Sequence, residues 1–511
     1  MNKELEMKAM HWAVAGAVSM LGFSALADVK LPAVFSDNMV LQKMEKTPFF
    51  GTADKGEAVT VKVGEAVGET TAGDDGKWKL FVDTRNAKGT VEVSVKGNNS
   101  IAIKNVLIGE VWVASGQSNM EMSVGGSKDA DLEIAGANYP EIRMFTVEKA
   151  TAMEPAKDVK GKWEVCTPEV TGHYSAVGYF FARDLHQQLK TPVGVIHTSW
   201  GGTVAEAWTS REALTAADPD VKTIIEKFDA ARAKVTPETI EKYREDVKEW
   251  QKAGSPRGKG PKKPAGLDDP NAPTALYNAM VAPIVGYGMK GAIWYQGESN
   301  AGRAYQYRKL FPTMIQDWRS RWGEGDFSFY WVQLANFMGR DKEPVDSQWA
   351  ELREAQTMTQ ALPNSGQAVI IDIGEGLDIH PKNKEDVGRR LARLALKKDY
   401  GKNIVDSGPV FDSMSVEGDT VRLRFKNAAG GLVAKEKLTG FAVAGEDKKF
   451  VWADAKVEGE TVVLKSPAVA KPVAVRYAWG NNPEVSLYNK VNLPAAPFRT
   501  DDWPGVTAGK N

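Results

Sequence analysis

Val111-Trp112-Val113-Ala114-Ser115-Gly116-Gln117-Ser118-Asn119-Met120 has the layout of a buried strand that turns sharply and exposes a serine. A serine hydroxyl is a poor nucleophile until a base removes its proton, and the base needs an orienting acid. Far downstream, Gly374-Glu375-Gly376-Leu377-Asp378-Ile379-His380-Pro381 places a carboxylate two residues before a histidine. The two segments together meet both needs.

The surroundings of that strand set the fold class. Between residues 106 and 404 apolar runs alternate with amphipathic stretches. Val106-Leu107-Ile108, Val193-Gly194-Val195-Ile196, Gly291-Ala292-Ile293-Trp294-Tyr295 and Ala368-Val369-Ile370-Ile371 read as buried strands. Tyr174 to Leu189 reads as a helix opened by His173, with Val177, Phe181, Leu185 and Leu189 near one face. Such alternation implies an α/β fold, a parallel sheet with helices on both faces. Ligands of such sheets bind at the strand carboxyl ends. The serine turn, Trp200-Gly201-Gly202-Thr203, Gln296-Gly297-Glu298-Ser299-Asn300 and the Asp378–His380 loop all fall there.

Residues 28–105 read as a small N-terminal β domain, because Val59 to Val63 and Val91 to Val95 alternate with period two. Residues 405–511 return to β character, with strands predicted at 421–425, 462–464 and 473–477. A helical hairpin is predicted to interrupt the α/β region at 211–272, with Thr236 as N-cap and Pro237 at the first helical position of its second helix. Ile240, Tyr243, Val247 and Trp250 mark that helix's apolar face.

With 511 residues, two to four domains are expected. The formal net charge is −1 and no basic run points to nucleic acid. The 15 tryptophans suit sugar-stacking surfaces as well as core packing. Lys3 and Lys8, the apolar stretch Trp12 to Leu21, and Ala25-Leu26-Ala27 have the order of a signal peptide. The mature chain would start at Asp28, in the periplasm or outside the cell. The apolar stretch is short for a membrane span. Cys166 is the single cysteine, which excludes an internal disulfide.

Five histidines limit the choice of base. His11 falls in the leader, His186 lies mid-helix, and His197 follows a buried strand. His380 sits with Asp378 in a glycine-rich loop, and Pro381 would start a helix carrying Val387, Leu391 and Leu394. Ser118 also fits a helix N-cap, with Glu121 completing a capping box. Met120 replaces the second glycine of the Gly-x-Ser-x-Gly elbow. There is no His-Glu-x-x-His and no cysteine pair, so neither metal nor cofactor is expected.

Gly116-Gln117-Ser118-Asn119-Met120-Glu121-Met122, Trp294-Tyr295-Gln296-Gly297-Glu298-Ser299-Asn300 and Asp378-Ile379-His380-Pro381-Lys382-Asn383-Lys384 resemble the motifs of the sialate O-acetylesterase family, a branch of the SGNH-hydrolase superfamily. The resemblance extends to Leu31–Gln42 and to Tyr477–Pro483 with Leu487–Asn489, nearly the whole mature chain. It implies an SGNH-type sheet and an acetyl-enzyme formed on Ser118, with His380 as base and then acid. The oxyanion hole it implies uses the Ser118 N–H, the Gly202 (or Gly201) N–H and the Gln296 side-chain amide. The family places an aspartate three residues before the histidine; here that position is Leu377. Asp378 and Glu298 are therefore both candidates for the orienting acid, and Asp378 is favoured because local sequence keeps it near. The implied substrate is an acetylated carbohydrate, foremost 9-O-acetylated sialic acid, with acetylxylan or another hemicellulose as the alternative. A non-catalytic sugar-binding protein would need neither Ser118 nor His380. Arg303, Arg308, Trp200 and Trp349 are candidates to contact the sugar.

Overall fold

One strand passes through two parts of the molecule and carries the serine at its end. In the computed structural model, which describes residues 28–256, 258 and 260–511, strand β1 spans Ser100–Gly116. Its first half alternates between buried and exposed side chains, as Ile101 and Ile103 alternate with Ala102 and Lys104. Its second half, Val106 to Ser115, is almost wholly buried, as expected of a strand covered on both faces. The first half pairs antiparallel with Thr90–Lys96, and Leu107–Gly109, at the start of the second half, pair parallel with Val40–Gln42. The division expected at 105/106 thus falls inside a continuous strand. The expected leader, Met1 to Ala27, lies outside the described residues.

The second half of β1 is the centre of a mixed sheet. The other strands are β2 (Tyr139–Thr146), β3 (Trp163–Cys166), β4 (Val193–Ser199), β5 (Gly291–Tyr295), β6 (Ser328–Val332) and β7 (Ser365–Ala368). Their order is β7-β6-β5-β1-β4-β2-β3. All pairs are parallel except β2 with β3. The chain moves from β1 to one side, then crosses to β5 on the other. The crevice where the two directions part lies at the carboxyl end of β1.

Helices cover both faces. Trp112 packs edge-on against Phe181 of helix α2 (Ala176–Leu189). Trp294 of β5 is in register with Ser115, whose side chain points opposite to that of Trp112. Trp294 meets Phe311 and Trp318 of helix α5 (Ala304–Trp322), so α5 lies on the other face. The insertion holds α3 (Pro219–Arg232) and α4 (Pro237–Lys252). Thr236 caps α4 by accepting from Thr239 N, and Ile240, Tyr243, Val247 and Trp250 are only half-buried. Helix α6 is Gln348–Met358 and helix α7 is Lys384–Lys398. Helix α7 packs on α2 so closely that a Cβ on Gly388 would meet Phe180 Cβ at 2.6 Å.

Three expected boundaries move. The strand predicted at 368–371 is β7, ending at Ala368. Val369 and Ile371 are apolar because they join the core of the C-terminal β region, while Ile370 joins the main core. Helix α2 is capped by Ser175 rather than opened by His173. Helix α7 is capped by Asn383, whose side chain accepts from Asp386 N, rather than begun at Pro381. Residues 410–499 form antiparallel sheets around their own core. Among the described residues no helix is long and apolar enough to cross a membrane.

Candidate active site

Gly116 ends β1 pressed against β5. Its φ is 137°, and a Cβ there would meet Tyr295 O at 2.2 Å, so only glycine fits. The next residue, Gln117, donates its N–H to Tyr295 O at 2.9 Å. This places Ser118 at the first position of the one-turn helix α1 (Ser118–Glu121).

Ser118 Oγ lies 2.8 Å from His380 Nε2. With the imidazole neutral and Nε2 unprotonated, the serine O–H donates to it and Nδ1 carries the ring proton. The capping box expected from Ser118 and Glu121 does not form, because both side chains are engaged elsewhere. Glu121 reaches across to the β4 end, where Oε2 accepts from Gly201 N at 2.5 Å and Oε1 pairs with Lys149 Nζ at 2.6 Å. Gly202, the other candidate, stands at φ 75°.

Asp378 stands beside the ring. Its Oδ1 is 3.7 Å from His380 Nδ1 and accepts from the His380 backbone N–H at 2.9 Å. Glu298 makes its contacts elsewhere. It is half-buried, and desolvation pushes its carboxyl above the ordinary range. Glu298 Oε1 accepts from Asn119 Nδ2 at 2.7 Å. The Gln117 amide, turned so that its nitrogen donates, reaches Glu298 Oε2 and Thr203 O, each at 3.2 Å.

Asn119 is the hub of this network. Its Nδ2 also donates to Ile379 O at 2.9 Å, and its Oδ1 accepts from Lys384 Nζ at 2.5 Å. Lys384 is buried at the start of α7, and desolvation lowers its ammonium to about 7. Asn119 thereby bridges a half-buried carboxyl and a buried amine and holds the residue before His380.

Gln296 is a correction to the expected hole. It is fully buried, and Nε2 donates to Thr203 O at 3.1 Å and Asn300 Oδ1 at 2.6 Å. Its Oε1 accepts from Tyr307 Oη at 3.0 Å. Both amide protons are committed to bracing the loop after β5.

The other candidates divide. Trp200 lines an open depression of about 560 Å³ with Ser118, Glu121, Lys149, Gly201 and His380. Arg303 instead pairs with Glu206 at 2.6 Å. Arg308 stacks on Tyr305 and pairs with Glu354. Trp349 is buried and donates to Ala335 O at 2.9 Å. His197 is buried in β4, bonded to Ser199 Oγ at 2.6 Å, with burial pushing its pKa down to about 4. His186, mid-helix as expected, is half-buried and its Nδ1 lies 2.9 Å from Thr191 O. Among the described residues no cluster of three or more His, Cys, Asp or Glu is placed to hold a metal ion.

Sequence reasoning missed Lys149 and Lys384. Lys149 carries no local signal. Lys384 lies inside a quoted motif, but a lysine at the start of an amphipathic helix reads as solvated.

A serine and a histidine in hydrogen-bond contact at the crevice of a mixed α/β sheet are the arrangement that hydrolases of the serine type use. The family model for carbohydrate esterases, sialic acid-specific acetylesterase, matches residues 108–241 and 245–397. Mouse sialate O-acetylesterase is 30% identical over 475 residues, covering 82% of this chain and 83% of its own. The human sialate O-acetylesterase is 29% identical over 538 residues, covering 94% and 95%. A carbohydrate acetylesterase from Xanthomonas citri superposes with a TM-score of 0.79 at 36% identity, covering 93% of this chain and all of that one. The chain belongs to the sialic acid-specific acetylesterase family of carbohydrate esterases. It is a carboxylic ester hydrolase that removes O-acetyl groups from carbohydrates.

Proposed function

We propose that this chain is an exported serine esterase of SGNH type that deacetylates 9-O-acetylated sialic acids through an acetyl-enzyme on Ser118. The observation that carries the reading is the 2.8 Å contact between Ser118 Oγ and His380 Nε2 at the mouth of the depression. Ser118 Oγ attacks the acetyl carbonyl while His380 Nε2 takes its proton. The Ser118 and Gly202 N–H groups stabilise the oxyanion, each such donor contributing about 3 kcal/mol. The carbon–oxygen bond to the sugar then breaks, and His380 returns the proton to the sugar oxygen. In the second half-reaction His380 deprotonates a water, which attacks the acetyl carbon and releases acetate and Ser118. Asp378 stabilises the imidazolium and fixes its tautomer.

The names of the relatives support a sialic acid substrate. Lys149, on the wall of the depression and paired there with Glu121, is a cation that a sugar carboxylate could meet. The leader-like order of Met1 to Ala27 supports export. We divide the mature chain into an N-terminal β unit at 28–105, a catalytic unit at 106–404 with its insertion at 211–272, and a C-terminal β unit at 405–511. Acetate release from 9-O-acetylated sialosides, acetylxylan, acetylated pectin and acetylated chitooligosaccharides tests the substrate. A kcat/KM highest on the sialosides is expected. Preference for acetylxylan would make the chain a hemicellulose deacetylase instead. Recovery of full-length chain with Met1 to Ala27 retained in the cytosol would overturn export.

A further inference from the structure

Most of the tryptophans are core residues, but a few keep solvent contact. Among the described residues these are Trp200 at the catalytic depression, Trp250 on the insertion, and Trp452 and Trp503. The last two, far apart in sequence, line one groove. It consists of two adjoining cavities of about 370 and 320 Å³ between the 340–346 loop and the C-terminal β-sheet. The cavities share Val345, Gly440, Trp452 and Trp479.

The groove is built as a firm aromatic surface. Trp452 is 41% exposed, and its Nε1 donates to Lys342 O at 2.8 Å, which ties the ring to the rim loop. Trp503 packs on Phe450 at 5.6 Å between ring centroids, with Lys448 5.3 Å from the Trp503 ring. Trp479 is buried against Arg476 and Arg499, each 5.2 Å from its ring, and its Nε1 has no protein acceptor. The basic and acidic side chains lining the two cavities are equal in number, five of each. Flat aromatic faces, many polar groups and no net charge suit an uncharged, hydroxyl-rich ligand with apolar ring faces. They do not suit a phosphate or an acidic peptide.

The groove is also joined to the catalytic loop. Asn482 lines it, donates to Met338 O at 2.8 Å and accepts from Asn336 Nδ2 at 2.8 Å. Asn336 Oδ1 in turn accepts from Gly374 N at 2.8 Å, at the start of the segment that carries Asp378 and His380. Arg353, wholly buried, donates to Gly480 O, Asn481 O, Leu334 O and Ala335 O, and so fixes the groove wall to the catalytic sheet.

We propose that the groove lined by Trp452, Trp479 and Trp503 is a second saccharide subsite that holds neutral pyranose units of the glycan chain whose ester Ser118 cleaves. The proposal rests on the esterase reading with its polysaccharide alternative, acetylxylan or acetylated chitooligosaccharide rather than a sialoside, as the substrate, but groove binding is measurable without turnover. Full-length Ser118→Ala protein is titrated with xylohexaose and with chitohexaose by calorimetry and tryptophan fluorescence. Binding to at least one is expected, weakened about tenfold by Trp452→Ala or Trp503→Ala, the loss of one stacking face. Trp452→Phe, which keeps a ring but drops the bond to Lys342 O, retains most of the affinity. With Ser118 intact, the alanine variants raise KM about tenfold on the acetylated polymer of the oligosaccharide that binds, acetylxylan or acetylated chitooligosaccharide. They leave kcat and the hydrolysis of p-nitrophenyl acetate unchanged. Absence of binding to both oligosaccharides overturns the proposal. So does binding unaffected by both alanine variants, or an equal loss on p-nitrophenyl acetate. Groove binding without acetate release by the wild type would instead count against the esterase reading alone.

Discussion

Asp378 Oδ1 lies 3.7 Å from His380 Nδ1, yet its hydrogen bond goes to the backbone N–H of that same histidine, at 2.9 Å. One carboxylate oxygen thus fixes the loop and faces the ring at once. A modest rotation of the imidazole or contraction of the loop would convert the 3.7 Å approach into the Nδ1–H bond a triad requires.

Asp378→Asn keeps an oxygen for the backbone N–H and removes the charge. It is expected to lower kcat by about 10³–10⁴-fold, following the serine-protease precedent. Glu298→Gln is expected to cost about tenfold, through the Asn119 network rather than the ring. Steady-state kinetics on p-nitrophenyl acetate, at matched melting temperatures, check both. A larger loss in Glu298→Gln would make Glu298 the acid.

Ser118 is expected to be the residue modified by a serine-reactive phosphonate. Peptide mass mapping would find the added mass on the fragment containing Ser118, and His380→Ala would slow the labelling by about 10²-fold or more. Labelling at another serine overturns the assignment.

The sheet was legible because its centre is a long apolar run, and because β4 and β5 are short apolar runs ending in glycine-rich loops. Strands β2, β3 and β6 and helices α5 and α6 were not read. The two helices mix tryptophan, arginine and glutamine, as in Gln348–Met358, where Arg353 is buried only because four carbonyl groups meet it. The Ser118–His380 contact was legible from local layout and motif resemblance. The loss of Gln296 to an internal network was not, since the position of its amide depends on Thr203, from the distant loop after β4, as well as on the nearby Asn300 and Tyr307.

His197 gives the fold a dependence on acid. Burial lowers its pKa from 6.5 to about 4. Between those values the unfolded chain binds a proton that the folded chain does not, so stability falls as pH drops from 6.5 towards 4. The loss attributable to this group is up to about 3 kcal/mol. Urea unfolding of wild type and His197→Gln at pH 6.5 and pH 4 should give a smaller decline in the variant. Parallel declines would mean that His197 is not buried in its neutral form.

Asn119 joins three structural tasks in one amide, and its removal should separate stability from catalysis. Asn119 Nδ2 serves Glu298 Oε1 and Ile379 O, while Oδ1 receives Lys384 Nζ. Asn119→Ala leaves a half-buried carboxyl, a buried amine and a half-buried carbonyl without this partner, which costs about 2–3 kcal/mol of stability. It also frees the backbone immediately before His380. Displacement of the imidazole by about 1 Å is enough to lower kcat by about 10²-fold. The substrate-binding depression is lined by other side chains, so KM should stay within about twofold. Lys384→Met provides the contrast: it removes the buried amine but leaves the bond from Asn119 to Ile379 O intact. It should therefore shift the melting temperature while retaining most of kcat. Chemical denaturation and steady-state kinetics on the two variants check the separation. Equal losses of kcat in both would mean that the buried amine, and not the hold on Ile379, positions the histidine.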